Sequence, residues 1–167
     1  AHLGIAQQTE DKQYIPGPGM HVLAAQAMFG SGLVRRAIGP MEALRSDALA
    51  VALGVLWRDH VSYLYFASPQ TPPAEAIGHR QLFPATRSGI GLVLLSRLSV
   101  TDVRALYRGR EVPGFESVDT LLARLAEVRQ TGYALIRPFD DQRTQTLAVA
   151  IEGESAAVAF SGQIETK

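Results

Sequence analysis

The stretch Ala48-Leu49-Ala50-Val51-Ala52-Leu53-Gly54-Val55-Leu56-Trp57, followed by Arg58-Asp59-His60 and Val61-Ser62-Tyr63-Leu64-Tyr65-Phe66-Ala67, decides the fold. The first ten residues are almost continuously apolar and rich in valine, leucine and alanine, which suits a strand covered on both faces. Arg58-Asp59-His60 supplies the turn. The next seven residues alternate Val61, Tyr63 and Tyr65 against Ser62, Leu64 and Phe66, the pattern of a two-faced antiparallel partner. A central hairpin results, and the elements on either side either extend it or cross over it.

Downstream, Ser68 to Pro73 is a loop by composition, and Gln81 to Ala85 reads as a short strand. Ser88 to Leu98 places Ile90, Val93, Leu94 and Leu98 on one helical stripe, and Thr101 to Tyr107 is a short successor. The clearest helix runs from Val118 to Gln130, with Ser117 as N-cap and Asp119 complementing the dipole. Its buried stripe is Val118, Leu121, Leu122, Leu125 and Val128, and Arg129 and Gly132 mark its end. Tyr133 to Ile136 returns to strand, and Arg137 to Arg143 is a polar loop. Thr146 to Ile151 and Ala156 to Ser161 form a second hairpin around Glu152-Gly153-Glu154-Ser155. Hairpins outnumber crossovers, so the sheet is expected to be mainly antiparallel with helices packed on it, an α+β fold.

Residues 1–16 read differently. Leu3 to Ala6 and Lys12 to Ile15 flank the polar Gln7-Gln8-Thr9-Glu10-Asp11, a hairpin too small to stand alone. After Gly17-Pro18-Gly19, Val22, Leu23, Gln26 and Phe29 recur at helical spacing until Gly30-Ser31-Gly32 breaks the pattern. Leu33 to Arg45 carries a second helical pattern, divided at Gly39-Pro40, with Pro40 opening a short helix from Met41 to Leu44. Two apolar faces in succession with few partners predict pairing between copies through residues 18–38.

Composition narrows the function. At 167 residues, 47% of them apolar, the chain can bury a core, and its lack of cysteine excludes disulfides and thiolate chemistry. Sixteen basic residues balance sixteen acidic ones, so the chain alone is not expected to grip nucleic acid. Its longest apolar run is half the roughly 20 residues a membrane span needs, and no signal-peptide core opens it.

Catalytic chemistry is thinly represented. His2, His21, His60 and His79 are scattered, and no pair has the i,i+4 spacing of a helical metal site. Asp140-Asp141 beside Arg143 could form a metal or acid/base pair, although a polar loop between strands is the simpler reading. A small α+β hydrolase or isomerase using His79, Asp140 or Asp141 is therefore the alternative function. Nucleophile-elbow, Walker and Gly-x-Gly-x-x-Gly motifs are absent. One local feature has more content: Thr86-Arg87-Ser88-Gly89-Ile90-Gly91 leads directly into an apolar helix. The first amides of a helix lack internal partners and glycines admit close approach, so this turn suits a small carboxylate or phosphate. A capped helix start packed on the sheet explains the same residues without a ligand.

In order, these segments resemble the isocitrate-lyase-regulator (IclR) family of bacterial transcription regulators, over nearly the whole chain. Gln13-Tyr14-Ile15-Pro16-Gly17-Pro18 looks like the last wing strand of the family's winged helix-turn-helix, and Met20 to Leu44 like its linker and first effector-domain helix. Ala50 to Trp57 with Val61 to Ala67 resembles its first strand hairpin. Leu82-Phe83-Pro84-Ala85-Thr86-Arg87-Ser88-Gly89-Ile90-Gly91-Leu92-Val93-Leu94-Leu95 resembles its strand-to-helix passage. Val128-Arg129-Gln130-Thr131-Gly132-Tyr133 is similar to its Arg-x-x-Gly-Tyr ending, and Ala159-Phe160-Ser161-Gly162 to its closing strand.

The resemblance implies a GAF-like or profilin-like domain over residues 46–167, a linker and dimerisation segment over 17–45, and a remnant of the wing over 1–16. It implies a cytoplasmic homodimer or dimer of dimers that binds a small organic acid, needs no cofactor or metal, and passes the signal to operator DNA through a winged helix almost wholly absent from this chain. The implied ligand site comprises Phe83, Ser88, Gly89, Ile90, Ile136, Thr144, Thr146 and Ser161. The chain departs from the family in several places: Ala134-Leu135-Ile136 replaces an often acidic run, and Gly91-Leu92 stands at a helix start that many members build differently. Thr146 stands where cysteine is frequent, and Ala159 where a small polar residue is. The site is thus expected to be greasier than one for a two- or three-carbon acid, and suited to a larger, aromatic carboxylate held at Gly89 and Ile90.

Overall fold

A computed structural model of the chain describes residues 4–45, 49–72, 75–78, 82–137 and 143–163. The chain divides into two units, Ala1–Gly39 and Pro40–Lys167.

In the first unit, β1 (Ala6–Gln8) pairs antiparallel with β2 (Tyr14–Pro16), giving the small hairpin predicted, its strands lying later in the chain than expected. Helix α1 (Pro18–Ser31) runs through Gly30 and Ser31 and ends only at Gly32, which adopts φ 60°. Met20, Val22, Leu23 and Met28 are exposed around it. Helix α2 (Leu33–Leu44), within which the boundary falls, corrects the expectation of a break: it continues through Gly39 and Pro40. The proline removes one amide donor there, but the flanking turns carry the helix across.

The second unit is an antiparallel six-stranded sheet with helices on it. Its strands are β3 (Leu49–Trp57), β4 (His60–Ala67), β5 (Phe83–Pro84), β6 (Tyr133–Ile136), β7 (Thr144–Ala150) and β8 (Ala156–Gln163), in the order β5-β4-β3-β8-β7-β6. The α+β architecture expected from the sequence is therefore present. The central hairpin turns tightly on Arg58, at φ 56°, and Asp59. His60 hydrogen-bonds Asp59 at 2.9 Å, and Arg110 lies 3.5 Å from the same carboxylate. Burial alone would raise that carboxyl, but the hydrogen bond and nearby charges of His60 and Arg110 hold it below its ordinary 3.8.

One register shift matters. Leu53 pairs with Tyr65 but the next residue, Gly54, pairs with Tyr63, so Leu64 is an extra residue bulged out of β4. The bulge breaks the alternation predicted for this strand. Tyr63 reaches Ser88 at the start of the next helix, whereas Tyr65 donates to Glu42 of α2.

On the Tyr63 side, five strands contribute one row across the sheet: Phe66, Ala52, Ala159, Ala148 and Ala134. Four consecutive alanines make a low floor, and all four are buried. Helix α3 (Gly89–Ser96) packs on this face, and every residue of it is buried. A helix apolar on all sides is what such a doubly covered position requires. The short α4 (Val100–Leu106) and α5 (Val118–Thr131) follow, and α5 packs on α3 through Leu121, Leu125 and Val128. Ser117 and Thr120 form a capping box, and Gly132 closes α5 at φ 81°. On edge strand β6, the Tyr133 carbonyl accepts from the Thr131 hydroxyl and the Leu135 carbonyl from Arg124.

Arg129 ties α5 to the end of α3: its Nε donates to the Ser96 carbonyl at 2.8 Å and its Nη2 to the Leu98 carbonyl at 3.3 Å. These carbonyls belong to the turn that leaves α3, where helical acceptors run short of donors. Arg129→Ala is expected to lower unfolding free energy by roughly 1–2 kcal/mol, measured by urea denaturation. Arg129→Lys should recover only part of it, because an ammonium lacks the planar fork.

Candidate functional site

The passage from β5 into α3 builds one end of a cavity. A 3-10 turn, Ala85–Arg87, delivers Ser88 as the N-cap of α3. The Ser88 hydroxyl accepts from the Gly91 amide at 3.2 Å, and its carbonyl accepts from Leu92 at 2.9 Å. The first two amides, Gly89 and Ile90, have no acceptor within the helix by their position in it. Gly91 is sterically obligatory: a Cβ there would lie 2.0 Å from the Ala85 carbonyl oxygen and 2.4 Å from its Cα. Gly89 sits over the sheet, where a Cβ would come 3.1 Å from that of Ala148.

Between this helix start and the sheet lies a cavity of about 350 Å³. Ala52 and Ala159 form its floor, and Tyr63, Phe66 and Phe83 one wall. Ile136, Thr146 and Ser161 form the other, and Arg87, Ser88, Gly89 and Ile90 close the helix end. The structure thus brings together seven of the eight residues singled out in the sequence: Phe83, Ser88, Gly89, Ile90, Ile136, Thr146 and Ser161. Thr144 does not line it, which corrects the expectation. It lies two residues further along β7, opposite Gln163 at the outer end of the strand pair, and is half-buried there.

The polar groups are arranged as two hydroxyl pairs on opposite walls. The Tyr63 phenol and Ser88 hydroxyl are 3.0 Å apart, and those of Thr146 and Ser161 2.8 Å apart. Burial pushes the Tyr63 phenol above its ordinary 10, against the opposing effect of its Ser88 contact, so it remains a neutral hydroxyl at physiological pH. Tyr63 and Phe66 meet edge to face with centroids 6.3 Å apart. The cavity is therefore mostly apolar, with hydroxyls and helix-start amides as its orienting groups, the composition of a small-molecule site.

Tyr63, Phe66 and Arg87 escaped the sequence reading. The bulge at Leu64 hid the first two, because strict alternation sends Phe66 to the face opposite Tyr63. Arg87 was readable in principle, as the basic residue directly before a Ser-Gly helix start. Of the residues in the alternative enzymatic reading, His79, Asp140 and Asp141 all lie outside the described residues. Among the described residues, no group of three or more His, Asp and Glu side chains could hold a metal ion, and no helix is long and apolar enough to cross a membrane.

No protein-family model and no curated protein matches the chain. Solved structures match, and the chain shares the fold of IclR-type transcription regulators and of the C-terminal domain of one regulator, as the sequence resemblance implied. Among them is an IclR homolog from Microbacterium hydrocarbonoxydans complexed with 4-hydroxybenzoate, with a TM-score of 0.72 at 19% identity over 99% of this chain and 72% of that one. The Agobacterium tumefaciens repressor BlcR matches with a TM-score of 0.59 at 22% identity, covering 97% of this chain and 68% of that one. The C-terminal domain of the Escherichia coli regulator KdgR matches with 0.65 at 22% identity, covering 78% and 81%. At these identities the likeness is one of fold.

Proposed function

We propose that the chain is the ligand-sensing part of an IclR-family transcription regulator, and that its effector is a carboxylic acid bound in the 350 Å³ cavity. The observation that carries this reading is the composition of that cavity: an alanine floor, three aromatic rings and two hydroxyl pairs gathered at the start of a buried helix. The carboxylate goes to the Gly89 and Ile90 amides, where the helix dipole favours an anion. An aromatic ring then lies over Ala52 and Ala159, against Tyr63, Phe66 and Phe83. The bound 4-hydroxybenzoate of the Microbacterium hydrocarbonoxydans relative supports a ligand of this class and size.

In the full regulator, operator DNA is contacted by a winged helix, of which β1 and β2 are the last wing strands, and α1 belongs to the linker. The exposed Met20, Val22, Leu23 and Met28 of α1 are then the surface through which copies pair.

Calorimetry with aliphatic and aromatic carboxylates tests the ligand assignment. Expected are binding of an aromatic acid such as 4-hydroxybenzoate, at least tenfold weaker binding of its uncharged amide, and a several-fold loss in Ser161→Ala. Equal binding of acid and amide, or no binding by any carboxylate, overturns it.

A further inference from the structure

The two tyrosines that bracket the bulge in β4 are each tied to a different helix. Tyr63 lines the cavity, and its phenol meets the Ser88 hydroxyl at 3.0 Å. Ser88 also accepts from the Gly91 amide and so caps α3, whose first residues close the same cavity. Tyr65 is buried outside the cavity lining and donates to Glu42 of α2. Glu42 also pairs with Arg45 at 3.2 Å, and Arg45 donates to the Ser68 carbonyl at 3.4 Å and the Thr71 carbonyl at 3.1 Å. The Tyr65, Glu42 and Arg45 side chains thus fasten the end of α2 to β4 and to the loop that leaves it.

One residue, Leu64, separates the two tyrosines, and it has no partner on β3. On the other edge of β4 its carbonyl accepts from the Gly78 amide at 3.2 Å, and the Phe66 amide donates to the Ala76 carbonyl at 2.8 Å. A residue left out of the ladder lets a strand turn locally without breaking a rung to its neighbour. A push on Tyr63 from inside the cavity therefore reaches Tyr65 through the point where β4 yields most easily. Helix α2, to which Tyr65 is bonded, carries the chain from the first unit into the second. We infer that the bulged segment Tyr63-Leu64-Tyr65 is the regulatory link of the effector site: an acid seated against Tyr63 draws its phenol from Ser88, and the strand passes that shift through Leu64 to the Tyr65–Glu42 bond and so to α2.

This inference rests on the cavity being the effector site, and the experiment separates the two. Coupling between sites is reciprocal, so it is read from both ends, with 4-hydroxybenzoate as the probe. Hydrogen exchange at the Arg45 amide, which donates to the Met41 carbonyl at 2.9 Å, reports on the end of α2. Saturating probe is expected to change that rate at least threefold in the wild-type chain and to leave it unmoved in Tyr65→Phe. Calorimetry should show at least a threefold change in probe affinity in Tyr65→Phe, although that phenol does not line the cavity. Ser117→Ala, which weakens the α5 cap away from this route, should bind the probe as the wild type does, so that a general loss of stability does not imitate the effect. Without ligand, Tyr63→Phe should also change Arg45 exchange at least threefold. If the probe binds but Tyr65→Phe leaves its affinity unchanged and Arg45 exchange does not respond to it, the link is overturned and the effector site stands. If no carboxylate binds, the effector reading falls; Arg45 exchange indifferent to Tyr63→Phe then overturns the link as well, and a threefold response upholds it.

Discussion

Gly91→Ala is expected to abolish folding of the second unit, or to lower its stability by roughly 4 kcal/mol or more, the range reached when a core cannot yield. The added methyl would overlap the backbone of Ala85, whose carbonyl oxygen, carbonyl carbon and Cα all lie within 2.5 Å of its position. No flexible side chain is available to move aside. Relief would require the 3-10 turn to separate from α3, and that turn also carries the Thr86 hydrogen bond to the Pro113 carbonyl. Thermal melting monitored by circular dichroism provides the measurement. Gly30→Ala is the matched control, because nothing lies within 4 Å of its Cβ position inside α1. There the substitution should be neutral or stabilise by about 0.5–1 kcal/mol. Wild-type-like melting of Gly91→Ala would mean that the turn and helix are not packed as described.

Ala159→Leu should remove ligand binding while leaving a folded chain. Ala159 forms part of the cavity floor between Ala52 and Ala148 in the neighbouring strands, and it is only 4% exposed. Three added carbons must rise from the floor into the space between Tyr63 and Thr146, where the acid is proposed to lie. Overpacking typically costs about 1–3 kcal/mol, which a core of this size tolerates. A loss of affinity of about a hundredfold or more is expected by calorimetry, with cooperative unfolding retained. If the variant folds and binds as the wild type does, the ligand does not occupy this cavity.

Much of the second unit was legible because its signals are local. Ser117, Asp119 and Gly132 bound α5 within one residue of its observed ends, since capping chemistry is written in the residues that perform it. The 156–161 strand and its hairpin partner were equally plain from two apolar runs and the turn composition between them. What escaped was non-local. No residue in Val61 to Ala67 announces that Leu64 will be bulged; the shift falls opposite Gly54, where a Cβ would lie 2.9 Å from Val61 and 3.2 Å from Ile90. Both Tyr63 and Phe66 consequently face the cavity, and only the pairing register reveals it. Gly39 and Pro40 misled in the opposite direction, because a local helix-breaking signal was overridden by the turns around it. Around the candidate cavity, the helix-start motif and the resemblance point to Gly89, Ser161 and their neighbours, which line one space, whereas Thr144 lies outside that lining.

The two margins of the sheet have a consequence for how this molecule can associate. At one end β5 is only two residues long, and one of them, Pro84, has no amide hydrogen to offer. At the other, two of the four carbonyls of β6 are already occupied by Thr131 and Arg124. A strand arriving from another chain would find no uninterrupted ladder to extend at either margin, which is how natural sheets avoid open-ended polymerisation. Any contact between copies of this chain would therefore be made by side chains on helices and sheet faces, a kind of contact that can close into a finite assembly.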